Sequence, residues 1–439
     1  MAGRYKPYPE YKDTGIIGLN EIPLDWRAQR VKFLFNLGRG RVISQEELVS
    51  EGVYPVYSSQ TKDSGCLGYI NTFDFDCRQI TWTTDGANAG TVFLREGKHN
   101  CTNVCGTLQP KSASISLEYF LYCLQYVTQF YKRPDTNGAK IMNGEMGEIF
   151  VSIPSRYEQD IIRDFLDHET AKIDTLIEKQ QQLIQLLKEK RQAVISHAVT
   201  KGLNPNAKMR DSGVEWLGEV PEHWALSQPR YACSFVGGGT PTKENLDFWG
   251  GDIPWVSPKD MKQDYLSSAQ DTITPAALSH SAVKLIDTGA VLIVVRGMIL
   301  DHSVPVALSE VKLTINQDMK ALIPNSKLDG EYLLYCLKGM RDNILDLVES
   351  SAHGTKCLRT EQFDRMALPL PPLNEQLKII AQLKDTLSRI DKLTSNIELM
   401  IGLAIERRTA LISAAVTGKI DVRNWIAPQA KLIDKEVAA

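Results

Sequence analysis

The sequence predicts an α+β protein in which two mixed α/β domains are separated by two long antiparallel coiled-coil helices, with an internal pseudo-two-fold repeat. The first observation behind this prediction is a long stretch of chain that recurs without gaps and has the apolar spacing of a coiled coil. The second is that strand-like runs and helical stretches alternate ahead of each such stretch. At 439 residues the chain has room for two or three domains.

The repeat is visible by direct comparison of the chain with itself. Residues 154–200 match residues 371–417 at a constant offset of 217, with 18 identities in 47 positions, where chance would give about three. Upstream, residues 13–26 recur as residues 211–224 at an offset of 198. Between these ends the copies diverge, and the second is 19 residues longer. The chain is therefore two tandem copies of one unit, with constant frames around different middles.

The repeated stretches have apolar residues at alternating spacings of three and four, which predicts a coiled-coil helix in each copy. The predicted seam consists of Ile162, Leu166, Ile173, Leu176, Leu183, Leu187 and Val194, followed in the second copy by Ile379, Leu383, Ile390, Leu393, Ile397, Met400 and Leu411. Proline before and glycine after each stretch mark the helix ends. The alternative is a long helix that lies on a globular core.

These boundaries divide the chain into five predicted segments. They are an N-terminal arm with the first variable domain (residues 1–157), the first long helix (158–202), a linker with the second variable domain (203–371), the second long helix (372–420) and a C-terminal tail (421–439).

Composition excludes several classes of protein. The 50 Lys and Arg residues nearly balance 53 Asp and Glu residues, so the chain is not a general polyanion binder and any nucleic-acid surface must be a local patch. No apolar run is long enough for a membrane span, and the first residues do not resemble a signal peptide. Eight cysteines are too few for a dense disulfide framework. We therefore expect a cytoplasmic protein.

Motifs of the common enzyme classes are missing from the sequence. It contains no nucleotide-binding phosphate loop, no dinucleotide fingerprint, no hydrolase nucleophile elbow and no adenine-holding motif of amino-methyltransferases. The best metal candidate combines His99, Cys101 and Cys105, with Cys66 or Cys77. These spacings match no strong zinc pattern, and the second copy lacks equivalents. We therefore predict neither catalytic residues nor a metal site.

Several segments resemble one known family, the specificity subunits of Type I restriction–modification systems. The resemblance covers nearly the whole chain and rests on residues 368–376 (LPLPPLNEQ), the helix ends 195–202 and 412–419, the lead-in 211–224 and the motif WGGDIPWVSPKD at 249–260. The first copy departs from the last motif, because it keeps only the equivalents of its second glycine and first proline.

The resemblance implies a non-catalytic, sequence-specific DNA-recognition subunit with two target recognition domains. Each domain would read half of an asymmetric, bipartite site in double-stranded DNA. The chain would also hold two adenine-N6 methyltransferase (modification) subunits and, through them, ATP-dependent restriction or translocase subunits. The implied cofactors, S-adenosylmethionine, ATP and Mg, belong to those partners, and none to this chain. The alternatives are a recognition subunit of another modification or phage-defence system and a purely protein-binding coiled-coil scaffold.

Polar and basic side chains in predicted loops are the candidate DNA contacts, although a solvated loop side chain is the alternative for each. In the first domain they are Arg39, Arg41, Tyr57, Ser58, Ser59, Lys62, Thr84, Asp85, Asn88 and Lys140; in the second they are Thr240, Thr242, Lys243, Ser257, Lys259, Asp260, Arg296 and Lys356. Lys140 and Lys356 rank first, because each follows a glycine by two residues in a polar loop.

Charge is unevenly shared between the two domains. Residues 15–150 carry 13 basic and 14 acidic side chains, a net charge of −1, whereas residues 213–367 carry 14 and 20, a net charge of −6. An acidic domain is a poor phosphate binder by itself. We therefore expect partner subunits to supply much of the phosphate contact and this chain to contribute mainly base readout.

Overall fold

The computed structural model describes residues 5–136, 138–351 and 354–427. The last twelve residues of the predicted tail, from 428 onward, lie outside these ranges. The described residues form two compact units, the first within residues 5–180 and 398–427 and the second within residues 181–397. Each long helix therefore contributes one half to each unit. In the part of the chain that the structure describes, none of the helices combines the length and the apolar character needed to cross a membrane.

The two predicted long helices are Arg156–Lys201 and Leu373–Val416. At the start of the first helix, the Ser155 amide and hydroxyl donate to the Glu158 carboxylate at 3.3 and 3.1 Å, which satisfies a backbone group that has no partner within the helix. Gly202 and Gly418 follow the two helices with positive φ angles of 75° and 73°. Glycine adopts this left-handed conformation without steric cost, so it ends both helices.

The first unit is built on two four-stranded sheets. The first sheet is fully antiparallel, with the strand order Val92–Arg95, Gln79–Thr83, Cys105–Pro110 and Phe35–Arg39. The second has the order Cys66–Ile70, Tyr54–Tyr57, Lys98–Cys101 and Phe75–Asp76, with a parallel pair at its centre. The remaining strands are Tyr11–Asp13 paired with Glu21–Pro23, Arg27–Arg30 paired with Phe150–Ile153, and the three-stranded group Arg133–Asp135, Gly138–Lys140 and Asp85–Gly86. The short helices are Val31–Leu34, Leu117–Val127 and Asn143–Glu148, and single 3₁₀ turns span Gln45–Glu47, Lys62–Gly65 and Thr128–Phe130.

The second unit repeats this plan, with five strands instead of four in its main sheet and three instead of four in its smaller sheet. Its main sheet has the order Cys233–Gly237, Met319–Pro324, Val291–Val294, Val306–Ser309 and Tyr265–Leu266. A smaller sheet has the order Asp271–Ile273, Trp249–Val256 and Thr314–Ile315, again with a parallel pair. Two-stranded pairs are Met209–Asp211 with Glu219–Pro221, Ala225–Ser227 with Leu368–Leu370, and Val348–Ser350 with Lys356–Leu358. The short helices are Pro229–Ala232, Pro275–His280, Gly330–Gly339, Arg341–Leu345 and Thr360–Phe363, and 3₁₀ turns span Leu246–Phe248, Pro258–Asp260 and Met298–Asp301. The predicted α+β class and internal repeat are confirmed.

The most strongly repeated residues hold the helix starts to their own domains. The Trp26 indole donates to the Glu158 carboxylate at 3.4 Å in the first unit, and the equivalent Trp224 donates to Glu375 at 3.1 Å in the second. Both tryptophans are at most 2% exposed. A buried indole N–H requires an acceptor, which explains why the tryptophan and the glutamate recur together in both copies.

Within each unit the two helix segments run antiparallel. In the first unit Asp174 pairs with Arg408 at 2.8 Å, and Ser152, just before the first helix, donates to the Val416 carbonyl at the end of the second. In the second unit Arg191 pairs with Asp391 at 2.5 Å. The two ion pairs are equivalents in the repeat, because an offset of 217 converts Asp174 to Asp391 and Arg191 to Arg408. Each copy thus supplies one residue to each pair, as a pseudo-two-fold repeat requires.

Burial does not extend along the whole predicted seam. The residues buried in the two domain cores are Ile162, Leu166, Ile173, Ile379, Leu383 and Leu411. Ile390 and Ile397 are buried outside these cores, and Leu187 and Val194 are half-buried. Leu176, Leu183, Leu393 and Met400 are 42–52% exposed, so the prediction of a closed seam is wrong at these four positions. Nearer the middle of each helix, the domain core no longer covers the apolar side chains, and one neighbouring helix covers only one side of them.

Candidate nucleic-acid interface

In the first unit, several predicted DNA contacts converge on one tight turn, residues 102–105, which the Cys105 amide closes by donating to the Thr102 carbonyl at 2.9 Å. Arg39, at the end of its strand, donates through Nε to the Asn103 carbonyl. The Thr102 hydroxyl contacts the Ser58 hydroxyl at 3.2 Å. Asn103 is exposed at the tip of this turn.

The loop that carries Tyr57, Ser58, Ser59 and Lys62 lies beside this turn. The Tyr57 carbonyl accepts from the Thr102 amide at 2.8 Å, and the Asn88 side chain donates to the Ser59 carbonyl at 3.0 Å. Lys62 is exposed, whereas Tyr57, Ser58 and Ser59 are half-buried. These contacts bring four separate segments of the sequence to one surface.

A buried arginine that sequence analysis missed supports this loop. Arg95 is 4% exposed, and its guanidinium lies 3.5 Å from the centre of the Tyr57 ring and 4.5 Å from that of Phe93. Its Nε donates to the Thr81 hydroxyl at 3.1 Å. Burial lowers the pKa of Arg95, because a charged group loses its hydration there. The aromatic faces partly replace that hydration.

Four predicted contacts of the first unit, Arg41, Thr84, Asp85 and Lys140, pair with other side chains or are buried. Thr84 is fully buried, so its prediction as a DNA contact is wrong. Lys140 pairs with Asp135 at 2.6 Å and with Asp85 at 3.6 Å, and hydrogen bonding to Lys140 lowers the pKa of Asp135. Arg41 is exposed but pairs with carboxylates.

Arg41 donates to Glu47 at 2.8 Å and to Asp74 at 3.2 Å. The hydrogen bond that Arg41 donates to the Glu47 carboxylate raises the pKa of Arg41, which therefore stays charged. Its backbone amide donates to the Cys101 carbonyl at 3.1 Å, just before the turn. Arg41 thus lies at the edge of the same surface, with its charge partly neutralised.

The second unit has an equivalent turn, residues 316–319, which the Met319 amide closes on the Asn316 carbonyl at 3.2 Å. The Thr240 hydroxyl donates to the side-chain oxygen of Gln317 at its exposed tip. The amides of Val295 and Arg296 both bond to the Asp318 carbonyl, at 2.8 and 3.2 Å. Thr240 and Arg296 are therefore brought together at this turn.

Other predicted contacts of the second unit stabilise local structure. Ser257 is 6% exposed, so its prediction as a DNA contact is wrong in this conformation: its amide and hydroxyl both donate to Asp260, at 2.9 and 2.8 Å, as a helix cap. Lys259 pairs with Asp271 at 2.7 Å, and this contact raises the pKa of the lysine. Thr242 and Lys243 are exposed in the loop that follows Thr240, and none of the described contacts links them to the turn at 316–319.

Lys140 and Lys356, which each follow a glycine by two residues and so were expected to be equivalent, occupy different positions in the two units. Both lie in strands rather than loops. The amides of Ile141 and Leu358 make equivalent backbone bonds, to Thr84 and Val295, both at 2.9 Å. Lys356 is therefore shifted by one residue relative to Lys140, and neighbouring strand residues point to opposite faces. Lys356 pairs with Asp301 at 2.9 Å.

Two equivalent glycines allow the turns to pack closely. A Cβ atom on Gly40 would lie 2.1 Å from the Cys101 carbonyl oxygen, and one on Gly238 would lie 1.9 Å from that of Asn316. Any other residue would displace the backbone of the turn, because real Cβ atoms do not approach oxygen so closely. The glycines were visible in the sequence, but only the strand register shows which turn each one contacts.

The residues considered as metal ligands are occupied by protein contacts. One ring nitrogen of His99 lies 2.9 Å from Gln79 Nε2, and the other lies 2.8 Å from the Gly97 carbonyl. Burial raises the pKa of Cys101 above its usual range and that of Cys105 to about 11. Both thiols are therefore protonated at neutral pH in this structure.

Comparison with known proteins gives consistent matches. A family model described as "Type I restriction modification DNA specificity domain" matches residues 23–186 and 231–401, which is more than half of the chain. The Type I restriction enzyme EcoR124I/EcoR124II specificity subunit of Escherichia coli is 35% identical over 202 residues, which are 45% of this chain and 46% of that protein. The chain thus spans about half the length of this relative. A putative type I specificity subunit of Mycoplasma pneumoniae, S.MpnORF289P N-terminus, is 36% identical over 142 residues, 32% of this chain and 76% of the relative.

A solved structure described as "Structural basis underlying complex assembly and conformational transition of the type I R-M system" shares the fold, with a TM-score of 0.63 and 16% sequence identity. The match covers 91% of this chain and 99% of that one. The two family-model matches fall on the two copies of the repeat, and each includes one of the turns described above. The chain therefore belongs to the family of Type I restriction modification DNA specificity domains.

Proposed function

We propose that this chain is the DNA-recognition subunit of a Type I restriction–modification complex, in which each unit reads one half of an asymmetric, bipartite site. The observation that carries the proposal is the pair of equivalent turns at 102–105 and 316–319. Their backbone contacts are the same, but their side chains differ. A constant frame that displays different side chains is suited to reading two different sequences. No catalytic step is assigned to this chain, and S-adenosylmethionine, ATP and Mg belong to the partners.

The arrangement of charge supports base readout rather than a strong phosphate clamp. Four of the predicted basic contacts, Arg41, Lys140, Lys259 and Lys356, pair with carboxylates at 2.6–2.9 Å. Such pairs have little net charge to offer DNA phosphates. Affinity for DNA should therefore depend on basic surfaces of the methyltransferase subunits, and the chain by itself should bind DNA weakly.

The helices support the proposal of two copies of one partner. The first unit exposes Leu176, Met400 and Leu403 on its helix segments, and the second exposes the three equivalents at an offset of 217, Leu393, Leu183 and Leu186. Exposed apolar groups of this kind mark protein-binding surfaces. Two equivalent surfaces would bind two identical methyltransferase subunits.

Native mass spectrometry can test this stoichiometry. Leu403→Asp should reduce the complex from two methyltransferase subunits to one, and Leu186→Asp should do the same at the other surface, because a charge without a partner is costly in an apolar interface. Both leucines are 57–59% exposed, so neither change should unfold the chain. Two bound subunits in both variants would contradict this part of the proposal.

The reading function is tested by methylation-aware sequencing of genomic DNA from cells that express the complex. We expect one asymmetric motif with two half-sites and a constant spacer. Inserting one heptad into each long helix, between Leu176 and Leu183 and at the equivalent position of the second helix, adds about 10.5 Å, or about three base pairs. The spacer should lengthen while both half-sites stay unchanged. Methylation without sequence preference, or an unchanged spacer in the lengthened chain, would contradict the proposal.

A further inference from the structure

We infer that the side-chain amides of Asn103 and Gln317 each read one base pair, and that adenine is the base they select. This inference rests on the proposed function and names two specificity-determining residues, neither of which belongs to a recognisable sequence motif. Both occupy the second position of their turns and are exposed. An amide carries one acceptor and two donors, which match N6 and N7 of adenine in the major groove.

The first argument is structural equivalence. In the first unit the turn is fixed by the amide of Gly40 on the Cys105 carbonyl, at 3.0 Å, and by that of Thr84 on the Val104 carbonyl, at 2.9 Å. In the second unit the amides of Gly238 and Val295 make the corresponding bonds to Met319 and Asp318, at 3.4 and 2.8 Å. The offset between the turns is 214 residues, which converts position 103 to 317. A rigid frame thus displays an amide at the same place in both units.

The second argument is that the backbone of each turn is satisfied while the tip side chain keeps hydrogen-bonding capacity. Arg39 occupies the Asn103 carbonyl, but the Asn103 side chain makes no hydrogen bond within residues 5–136, 138–351 and 354–427. Gln317 accepts the Thr240 hydroxyl through its side-chain oxygen, which fixes the amide plane and leaves the NH₂ group to donate. A pre-oriented donor loses less entropy when it binds.

The third argument is the surrounding surface. In the first unit, polar side chains surround the turn: Arg39 and Ser58 contact it directly, and Asn88 contacts the adjacent Ser59 carbonyl. The tip of the turn lies at the centre of these residues. In the second unit, the Thr240 hydroxyl contacts the equivalent tip, and the backbone amide of the exposed Arg296 bonds to the next residue of the turn. Flanking hydroxyl and guanidinium groups are suited to phosphate and neighbouring base edges, and the central amide is suited to one base.

The difference between the two amides also has a consequence. Gln317 is longer than Asn103 by one methylene group, so the two tips reach different depths from the same frame. The two half-sites should therefore present their adenines at different positions relative to the flanking contacts. Asymmetry of the site would arise in part from this single methylene group.

The test uses the complete complex with its methyltransferase subunits and methylation-aware sequencing. Asn103→Ala should relax one A·T pair of the first half-site, reducing discrimination there by about 5- to 150-fold, and leave the second half-site unchanged. Gln317→Ala should do the reverse. Asn103→Asp removes the donors but keeps the shape, so preference should move from adenine toward cytosine, whose N4 group donates to a carboxylate.

Asn71→Ala is the matched control. Asn71 also carries an exposed side-chain amide. It follows the strand Cys66–Ile70, in which Ile70 pairs with Tyr54. Tyr54 begins the strand that ends at Tyr57, so Asn71 lies at the opposite end of this strand from the residue that contacts the turn. This variant should methylate the unchanged motif.

Four outcomes distinguish the inference from the proposed function. An unchanged motif in Asn103→Ala would overturn the inference and leave the proposed function intact, and so would relaxation of a G·C pair. If methylation is lost, duplexes with single base changes in the first half-site are compared in vitro. Equal loss on every duplex would also overturn the inference, because it would indicate a general contact. A wild-type complex that methylates without sequence preference would instead contradict the proposed function.

Discussion

Replacing Gly238 by alanine should distort the turn at 316–319 and destabilise the second unit. The added Cβ would lie 1.9 Å from the Asn316 carbonyl oxygen and 2.5 Å from both the Asn316 carbonyl carbon and the Ile315 carbonyl oxygen. Since all three atoms belong to the backbone, no side-chain rotation can relieve the contact. Separation to an ordinary distance of about 3 Å requires a displacement of about 1 Å.

The expected cost is about 3 kcal/mol, the upper part of the usual range for overpacking. For a unit of this size such a change lowers the melting temperature by about 6–12 °C. The neighbouring Gly237→Ala is the matched control, because its Cβ would meet no described atom within 4 Å and its φ angle is not positive. It should melt within about 2 °C of the wild type.

The assay is differential scanning calorimetry of the full chain, followed by methylation-aware sequencing of the complex. Gly238→Ala should lower one transition and impair recognition of the second half-site only. The reasoning would be refuted if Gly238→Ala and Gly237→Ala melted together, because the close approach would then carry no energetic cost. Loss of the first half-site instead of the second would refute the assignment of units to half-sites.

Two further predictions concern the ion pairs. Arg408→Asp replaces the 2.8 Å ion pair between Arg408 and Asp174 by two carboxylates and should lower the free energy of unfolding. Adding Asp174→Arg should restore most of that stability, with a coupling energy of about 0.5 kcal/mol in thermal melts of the wild type, the two single variants and the double variant. Additive effects of the two single changes would contradict the contact. The hydrogen bond from Lys140 lowers the pKa of Asp135 in the folded chain. The interaction therefore stabilises the fold at pH values above about 3.9, the pKa of Asp in the unfolded chain, and this stabilisation is lost as the pH falls through the lower pKa of Asp135 in the folded chain. Lys140→Met should raise that pKa in an NMR titration, and an unchanged value would contradict the pairing.

The repeat, the fold class and the long helices could be predicted from the sequence, because each depends on local pattern. The helices have a seven-residue periodicity, and the glycines after them require positive φ. Burial along the seam could not be predicted so well. Leu166 and Leu176 look alike in the sequence, but only the first lies against a domain core, and the second is 45% exposed.

The candidate site depended on long-range register, which the sequence pattern does not encode. Polar loop residues such as Ser257 and Thr84 looked accessible, but Ser257 caps a short helix and Thr84 is fully buried. Asn103 and Gln317 share no surrounding motif, so only the equivalent backbone bonds of their turns relate them. Arg95 is a surface residue by type, and its burial against Tyr57 follows from packing of the two sheets.

The central claim is that constant frames hold the partners while different readers recognise the two half-sites. Exchanging residues 213–367 for the corresponding segment of a relative with a different second half-site tests it most directly. The motif methylated by the chimaeric complex is then sequenced. We predict a complex with two methyltransferase subunits, an unchanged first half-site and spacer, and a second half-site taken from the donor. A chimaera that assembled but altered both half-sites, or retained the original second half-site, would contradict the account.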